Sequence, residues 1–123
     1  MGELTFGGDR RLKSTAEFDA VYGRKISVSD GTIILFARPN GLDRSRIGLS
    51  VSKKHGNAPR RNRIKRLLRE AFRTARPDLP EGVDFVVVPR PGSTFALDSL
   101  RESLFHLTDK VVRRLPPRVE AKA

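Results

Sequence analysis

The sequence predicts an α+β fold: a single domain, in the order αβββαβα, with helices packed on a small mixed sheet. Three observations carry the prediction. Apolar residues recur with a helical period in three separate stretches. The stretches between them carry strand-like alternation or β-branched runs. At 123 residues the chain has material for one modest core and not for two.

Each element has its own signal. Residues 1–9 hold three glycines without periodicity and are expected to form a flexible arm, with the folded domain over 10–115 and a charged tail over 116–123. Ser14-Thr15-Ala16-Glu17 has capping-box spacing, and Phe18, Val21 and Tyr22 share a helical face, so a first helix is expected at about 15–23. Between Lys25 and Arg38 the β-branched content rises. Thr32 to Ala37 reads as a strand closed by Pro39-Asn40-Gly41, with a hairpin partner expected next.

Arg46 to Ser52 supplies that partner by alternation: Ile47, Leu49 and Val51 point one way, and Gly48, Ser50 and Ser52 the other. The second face, nearly bare of side chains, admits a close backbone, a stacked ring or a packed helix. Asn57 is an N-cap and Pro59 fits the first turn of a long helix at about 58–76, whose stripe is Ile64, Leu67, Leu68, Ala71, Phe72 and Ala75. Val83 to Val88 reads as a buried strand. Leu97, Leu100, Leu104, Leu107, Val111 and Leu115 mark a last helix at about 97–115. Phe72, Phe85 and Phe105 fall within apolar periodic patterns and are expected in the core.

Charge is the most functional signal. The net charge is +11, yet residues 53–76 hold ten of the 25 Lys and Arg and only one of the 14 acids, Glu70. On a helix, Asn62, Lys65, Arg66, Arg69, Arg73 and Arg76 fall opposite the apolar stripe as one ridge about 21 Å long, enough to meet several successive phosphates. Guanidinium forks suit bidentate phosphate contact. A solvated face with i, i+4 ion pairs would need acids, and only Glu70 is at hand. A nucleic-acid-facing element is therefore expected, and the turn carrying Lys53, Lys54 and Asn57 extends it.

Several classes are set aside. There is no cysteine, hence no disulfide framework or thiolate metal site, and the start lacks a signal-peptide pattern, so the cytoplasm is the expected compartment. No apolar run approaches the roughly 20 residues of a membrane span. The two histidines, His55 and His106, lack partners at metal-motif spacing; His55 is expected at the surface or on RNA, and His106 packed or at the surface. No P-loop or nucleophile elbow is present, so the catalytic residues are expected to be none and the metal ligands none. Among the aromatics, Phe18, Tyr22 and Phe36 border a possible groove for stacked bases, although spacing alone turns Phe18 and Tyr22 inward.

Two segments, Gly48 to Ala58 and Arg61 to Glu70, closely resemble the signature of the bacterial ribonuclease P protein subunit, and the likeness extends over about 10–112. The resemblance implies a subunit of an endoribonuclease ribonucleoprotein that removes the 5′ leader of precursor tRNA. Its chemistry would lie in a catalytic RNA with Mg2+ held mainly by that RNA, so that no cofactor is bound by the protein alone. It implies catalytic-RNA contact by Arg61, Asn62, Arg63, Lys65, Arg66 and Arg69, and the basic turn and ridge extend that expected set to Lys53, Lys54, Asn57 and Arg73. It implies leader contact by Phe18, Tyr22 and Phe36, and Arg11, Lys13 and Ser50 are expected beside them. No membrane and no obligate protein partner are expected. The resemblance also implies a left-handed βαβ crossover, akin to the second domain of a small-subunit ribosomal protein and against the usual hand. His55 departs from the aliphatic residue usual in that signature, and Pro59 also departs from it. A non-enzymatic ribosome-associated or RNA-chaperone module would use the same ridge.

Overall fold

A computed structural model describes residues 11–75, 79–92 and 95–115; the expected arm and tail, and Arg76 of the ridge, lie outside the described residues. The chain runs α1 (Thr15–Gly23), β1 (Ser27–Ser29), β2 (Ile33–Pro39), β3 (Arg46–Leu49), a 3-10 turn (Lys53–His55), α2 (Ala58–Ala75), β4 (Val83–Pro89) and α3 (Leu97–Val112). The strands form one mixed sheet in the order β1-β2-β4-β3.

Local chemistry sets the helix starts. Ser14 Oγ accepts the Glu17 N–H at 3.1 Å while Glu17 Oε1 accepts the Ser14 N–H at 3.1 Å, the reciprocal box expected from the spacing. Asn57 Oδ1 accepts from the Arg60 N–H at 3.1 Å and so caps α2. Asp30 shapes the β1–β2 turn: Oδ1 accepts from the N–H groups of Thr32 and Ile33, and Oδ2 accepts the Ser103 hydroxyl of α3 at 2.7 Å.

The sheet is covered on both faces. Ile33, Leu35 and Ala37 of β2, Ile47 of β3 and Val83, Phe85 and Val87 of β4 join α2 and α3 in the main core. The intervening residues look the other way, where Val86 packs with Val21 of α1 and with Leu12. Strand β4 is apolar on both sides because it is buried on both sides.

The expected hairpin does not form. Strand β3 pairs in parallel with β4, which in turn pairs antiparallel with β2, so β4 lies between the two strands expected to be partners. Residues 40–45 can span about 20 Å, whereas strands flanking a third are only about 10 Å apart, so the loop permits the insertion. Asp84 rewards it. Its Cα partners are Arg38 on one side and Arg46 on the other. Ser45 then fixes where β3 starts, with its hydroxyl donating to the Pro80 carbonyl and accepting the Val83 N–H.

Three further expectations are corrected. Strand β3 stops at Leu49, and Ser52 instead accepts the Lys54 N–H to open the 3-10 turn. Helix α3 ends at Val112 rather than near 115. Phe105 is 37% exposed and not core, because the buried stripe of α3 runs through Leu100, Leu104, Leu107 and Val111, and Phe105 lies about 100° around the helix from Leu104.

Candidate nucleic-acid interface

The face of the sheet under α1 is built in register. Gly48 and Phe36 both pair with Val86, from opposite sides. Phe18 and Tyr22, one helical turn apart on α1, straddle this row. The Phe18 ring occupies the space a side chain at position 48 would fill: a Cβ there would stand 2.6 Å from Cζ. Tyr22 meets Phe36 edge-on at 4.9 Å between ring centroids. The bare face of β3 therefore receives a ring, and the ring comes from the chain itself. All three aromatics are half-buried, packed on the small core of Leu12, Val21 and Val86. The inward reading of their spacing accounts for one side of each ring only.

Gly48→Val is expected to lower folding stability by about 1–3 kcal/mol, because it evicts Phe18 from its seat. Urea denaturation checks this, and an unaltered midpoint would contradict the close approach.

Beside Phe18 a recess of about 100 Å³ is lined by Arg11, Leu12, Gly48, Lys65 and Arg69. Among the described residues no carboxylate lines it. Arg11 is brought there by pairing next to β3, with the Leu12 N–H donating to the Ile47 carbonyl at 3.0 Å. Partial burial, and then the charge of Arg11, pulls the Arg69 guanidinium below its ordinary value. Cations held close together favour an anion between them.

The ridge expected from helical spacing is thereby divided. Asn62, Arg63 and Arg66 are exposed, with Lys53, Lys54 and Asn57 exposed at the turn before them. Lys65 and Arg69 lean into the recess. Arg61 folds back, donating from Nε to the Gly56 carbonyl at 3.2 Å. Arg73 donates from Nε to Glu70 at 3.0 Å and from Nη2 to its other oxygen, which holds the Glu70 carboxyl below its usual range. Glu70 thus neutralises one member of the ridge and leaves the outer members unmatched. Of the other residues expected at the groove, Lys13 is exposed just before α1, and Ser50 is half-buried beyond β3, its N–H donating to the Val87 carbonyl at 3.0 Å.

Sequence reasoning missed the ionic cluster at one end of this face. Asp84 is fully buried and accepts from Arg46 Nε and Nη2, both at 2.8 Å, from Asn40 Nδ2 at 2.8 Å and from Arg38 Nη2 at 3.2 Å. Burial alone would raise its pKa, but the hydrogen bonds from Arg46 and Asn40 and the nearby arginine charges outweigh it and hold the carboxyl below its ordinary range. Arg46 reaches on to Glu17 at 3.1 Å, tying α1 to the sheet. The signal was present: an aspartate inside an otherwise apolar strand requires buried partners.

His55 also departs from expectation. It is 7% exposed, and its Nε2 lies 2.9 Å from the Pro89 carbonyl, so it is a packed residue of the 3-10 turn rather than a surface one. His106 is exposed.

The sequence profile of the family described as Ribonuclease P matches residues 6–112. The chain belongs to the ribonuclease P protein family. It is 41% identical over 110 residues to the ribonuclease P protein component of Brevibacillus brevis, covering 86% of this chain and 87% of that one. Identity to the component of Caldanaerobacter subterraneus is also 41%, over 86% and 89% of the two chains. Among solved structures, the ribonuclease P protein of Thermotoga maritima superposes with a TM-score of 0.75 at 33% identity over 82% of this chain and 96% of that one. That of Staphylococcus aureus gives 0.72 at 33% over 85% and 95%. The order of elements and the helices on a small mixed sheet match these ribonuclease P proteins. The chain is accordingly the protein subunit of a tRNA-processing endoribonuclease ribonucleoprotein, with the ribonuclease P RNA as its partner. None of the described helices is long and apolar enough to cross a membrane.

Proposed function

We propose that, within the ribonucleoprotein, the two parts of the site divide the RNA between them. The outer face of α2, with Arg61, Asn62, Arg63 and Arg66, docks on the catalytic RNA together with Lys53, Lys54 and Asn57. The rings of Phe18, Tyr22 and Phe36, flanked by Lys13 and Ser50, take the unpaired 5′ leader of precursor tRNA. Arg11, Lys65 and Arg69 hold a phosphate where the two surfaces meet, and Arg73 contributes least because Glu70 already matches its charge.

The observation that carries this reading is a row of three half-buried rings, one of which, Phe18, lines a cationic recess with no carboxylate among its described lining residues. Unpaired RNA asks for stacking surfaces beside backbone charge. In this reading, the protein's own side chains bind and orient, and leader hydrolysis is performed by the RNA subunit. Magnesium ions bound there would supply activation of the attacking water and stabilisation of the leaving oxygen. The reading assigns these ions mainly to the RNA, with no cofactor bound by the protein alone. The compartment that fits is the cytoplasm, where tRNA precursors are made, and no obligate protein partner is invoked.

Tyr22→Leu keeps the apolar packing but removes an aromatic face. In the reconstituted ribonucleoprotein it is expected to weaken binding of leader-bearing tRNA by about 1–3 kcal/mol and to leave leaderless tRNA unaffected. Equal losses for both ligands, or none for either, would contradict leader contact.

A further inference from the structure

On the other flank of α2 lies a second concavity, which meets the docking surface only at Lys54 and shares no residue with the leader surface. It has a volume of about 430 Å³, within the range of about 300–1,000 Å³ typical of small-ligand sites, and is lined by Lys54, His55, Arg60, Ile64, Phe95 and two glycines. Arg60 and Ile64 face it, whereas Lys65 and Arg69, roughly 100–180° further round the helix, face the first recess.

The lining is chemically sorted. Lys54 and Arg60 supply positive charge, and among the described residues no carboxylate lines the cavity. Arg60 is held in place by its stem, which lies across Gly56 so closely that a Cβ there would stand 2.8 Å from Cδ. Gly56 and Gly92 have φ of +113° and +86°, a left-handed geometry that glycine adopts without strain. Phe95 is half-buried, with its ring centroid 5.9 Å from that of His55. The His55 Nε2 faces the Pro89 carbonyl, which only accepts, so that nitrogen carries the hydrogen. A cation pair and an aromatic ring within one cavity match the phosphate and the base of a single nucleotide.

We infer that this cavity binds one unpaired nucleotide, and that in the assembled particle the nucleotide belongs to the RNA subunit, because the cavity lies on the flank of α2 away from the α1 face.

The test begins with the full-length chain, 15N-labelled and titrated with AMP, adenosine and inorganic phosphate. AMP is expected to shift the amides of Gly56 and Gly92 rather than that of Gly48, and to bind at least about fivefold more tightly than phosphate or adenosine. Phe95→Leu, which retains the apolar packing, should reduce AMP affinity about fivefold and leave phosphate binding unaltered; Arg60→Gln should weaken both. In the reconstituted ribonucleoprotein, Phe95→Leu should weaken affinity for the RNA subunit by a similar factor without altering the preference for leader-bearing over leaderless tRNA. Equal binding of AMP and phosphate, shifts centred on Gly48, or an inert Phe95→Leu would overturn the nucleotide site. A changed leader preference would overturn its assignment to the RNA subunit. Because Tyr22→Leu is read at the opposite face, failure of the leader proposal leaves this result unaffected.

Discussion

Asp84→Ala is expected to remove about 3–5 kcal/mol of folding stability, the largest effect of any single substitution considered for this chain. The carboxylate is fully buried and receives four hydrogen bonds from three side chains. Removing it leaves Arg46, whose side chain is only 16% exposed, and Arg38 as neighbouring cations without their shared anion. The loss spreads through the fold because Asp84 also holds β4 between β2 and β3.

The same cluster sets the acid limit. The pKa values of Asp84 and Glu17 are both depressed in the folded state, Glu17 first by the N–H groups of Lys13 and Ser14 and then by the charge of Arg46. A depressed carboxyl binds its proton less readily when folded than when unfolded. Its contribution is therefore complete above the unfolded pKa near 4 and is lost as the pH falls through the lower folded value. Thermal unfolding followed from pH 7 downward should show the melting temperature falling below about pH 4, with a shallower fall in Asp84→Ala. Parallel acid profiles would mean that Asp84 is not the group involved.

The second large effect concerns RNA affinity. Replacing Lys65, Arg66 and Arg69 together with glutamine is expected to weaken binding to the ribonuclease P RNA at least tenfold, and to reduce the slope of log affinity against log salt by about 1 for each phosphate that is no longer neutralised. Arg73→Gln serves as the internal comparison. Its guanidinium is already engaged by Glu70, so its effect should be well below that of Arg66→Gln. If Arg73 and Arg66 contribute equally, affinity follows total charge and not the division of the ridge described above.

How much of this was legible in the sequence depended on the range of the forces involved. The helix beginning after Asn57 and the capping box at Ser14 are local, and the periodicity of α2 and α3 repeats many times, so these elements could be placed within a few residues. The strand order could not. Alternation marks β2 and β3 as strands but is silent on which neighbour each prefers, and the choice was made by Asp84, nearly forty residues beyond Arg46 and attracting it. Phe105 was misjudged because an aromatic adjacent to a core stripe resembles a member of it; one residue is a rotation of about 100°. The ridge was found from charge, but its division was not. That division depends on Arg11, far away in sequence, being delivered to Lys65 and Arg69 by pairing alongside β3. His55 was read as exposed because its turn is basic, whereas the Pro89 carbonyl and the Phe95 ring that enclose it come from the other half of the chain. The resemblance to the ribonuclease P protein subunit added the partner class that residue chemistry alone left at polyanion.

The most direct test of the account is reconstitution. Precursor tRNA is incubated with the cognate ribonuclease P RNA alone, with the protein alone and with both, at a magnesium concentration too low to sustain the RNA by itself, and single-turnover release of the leader is measured. The account predicts efficient cleavage at the mature 5′ end only when both are present, with the triple ridge variant reducing the rate at subsaturating protein. Cleavage by the protein alone, or an RNA rate that the protein leaves unchanged, would contradict it.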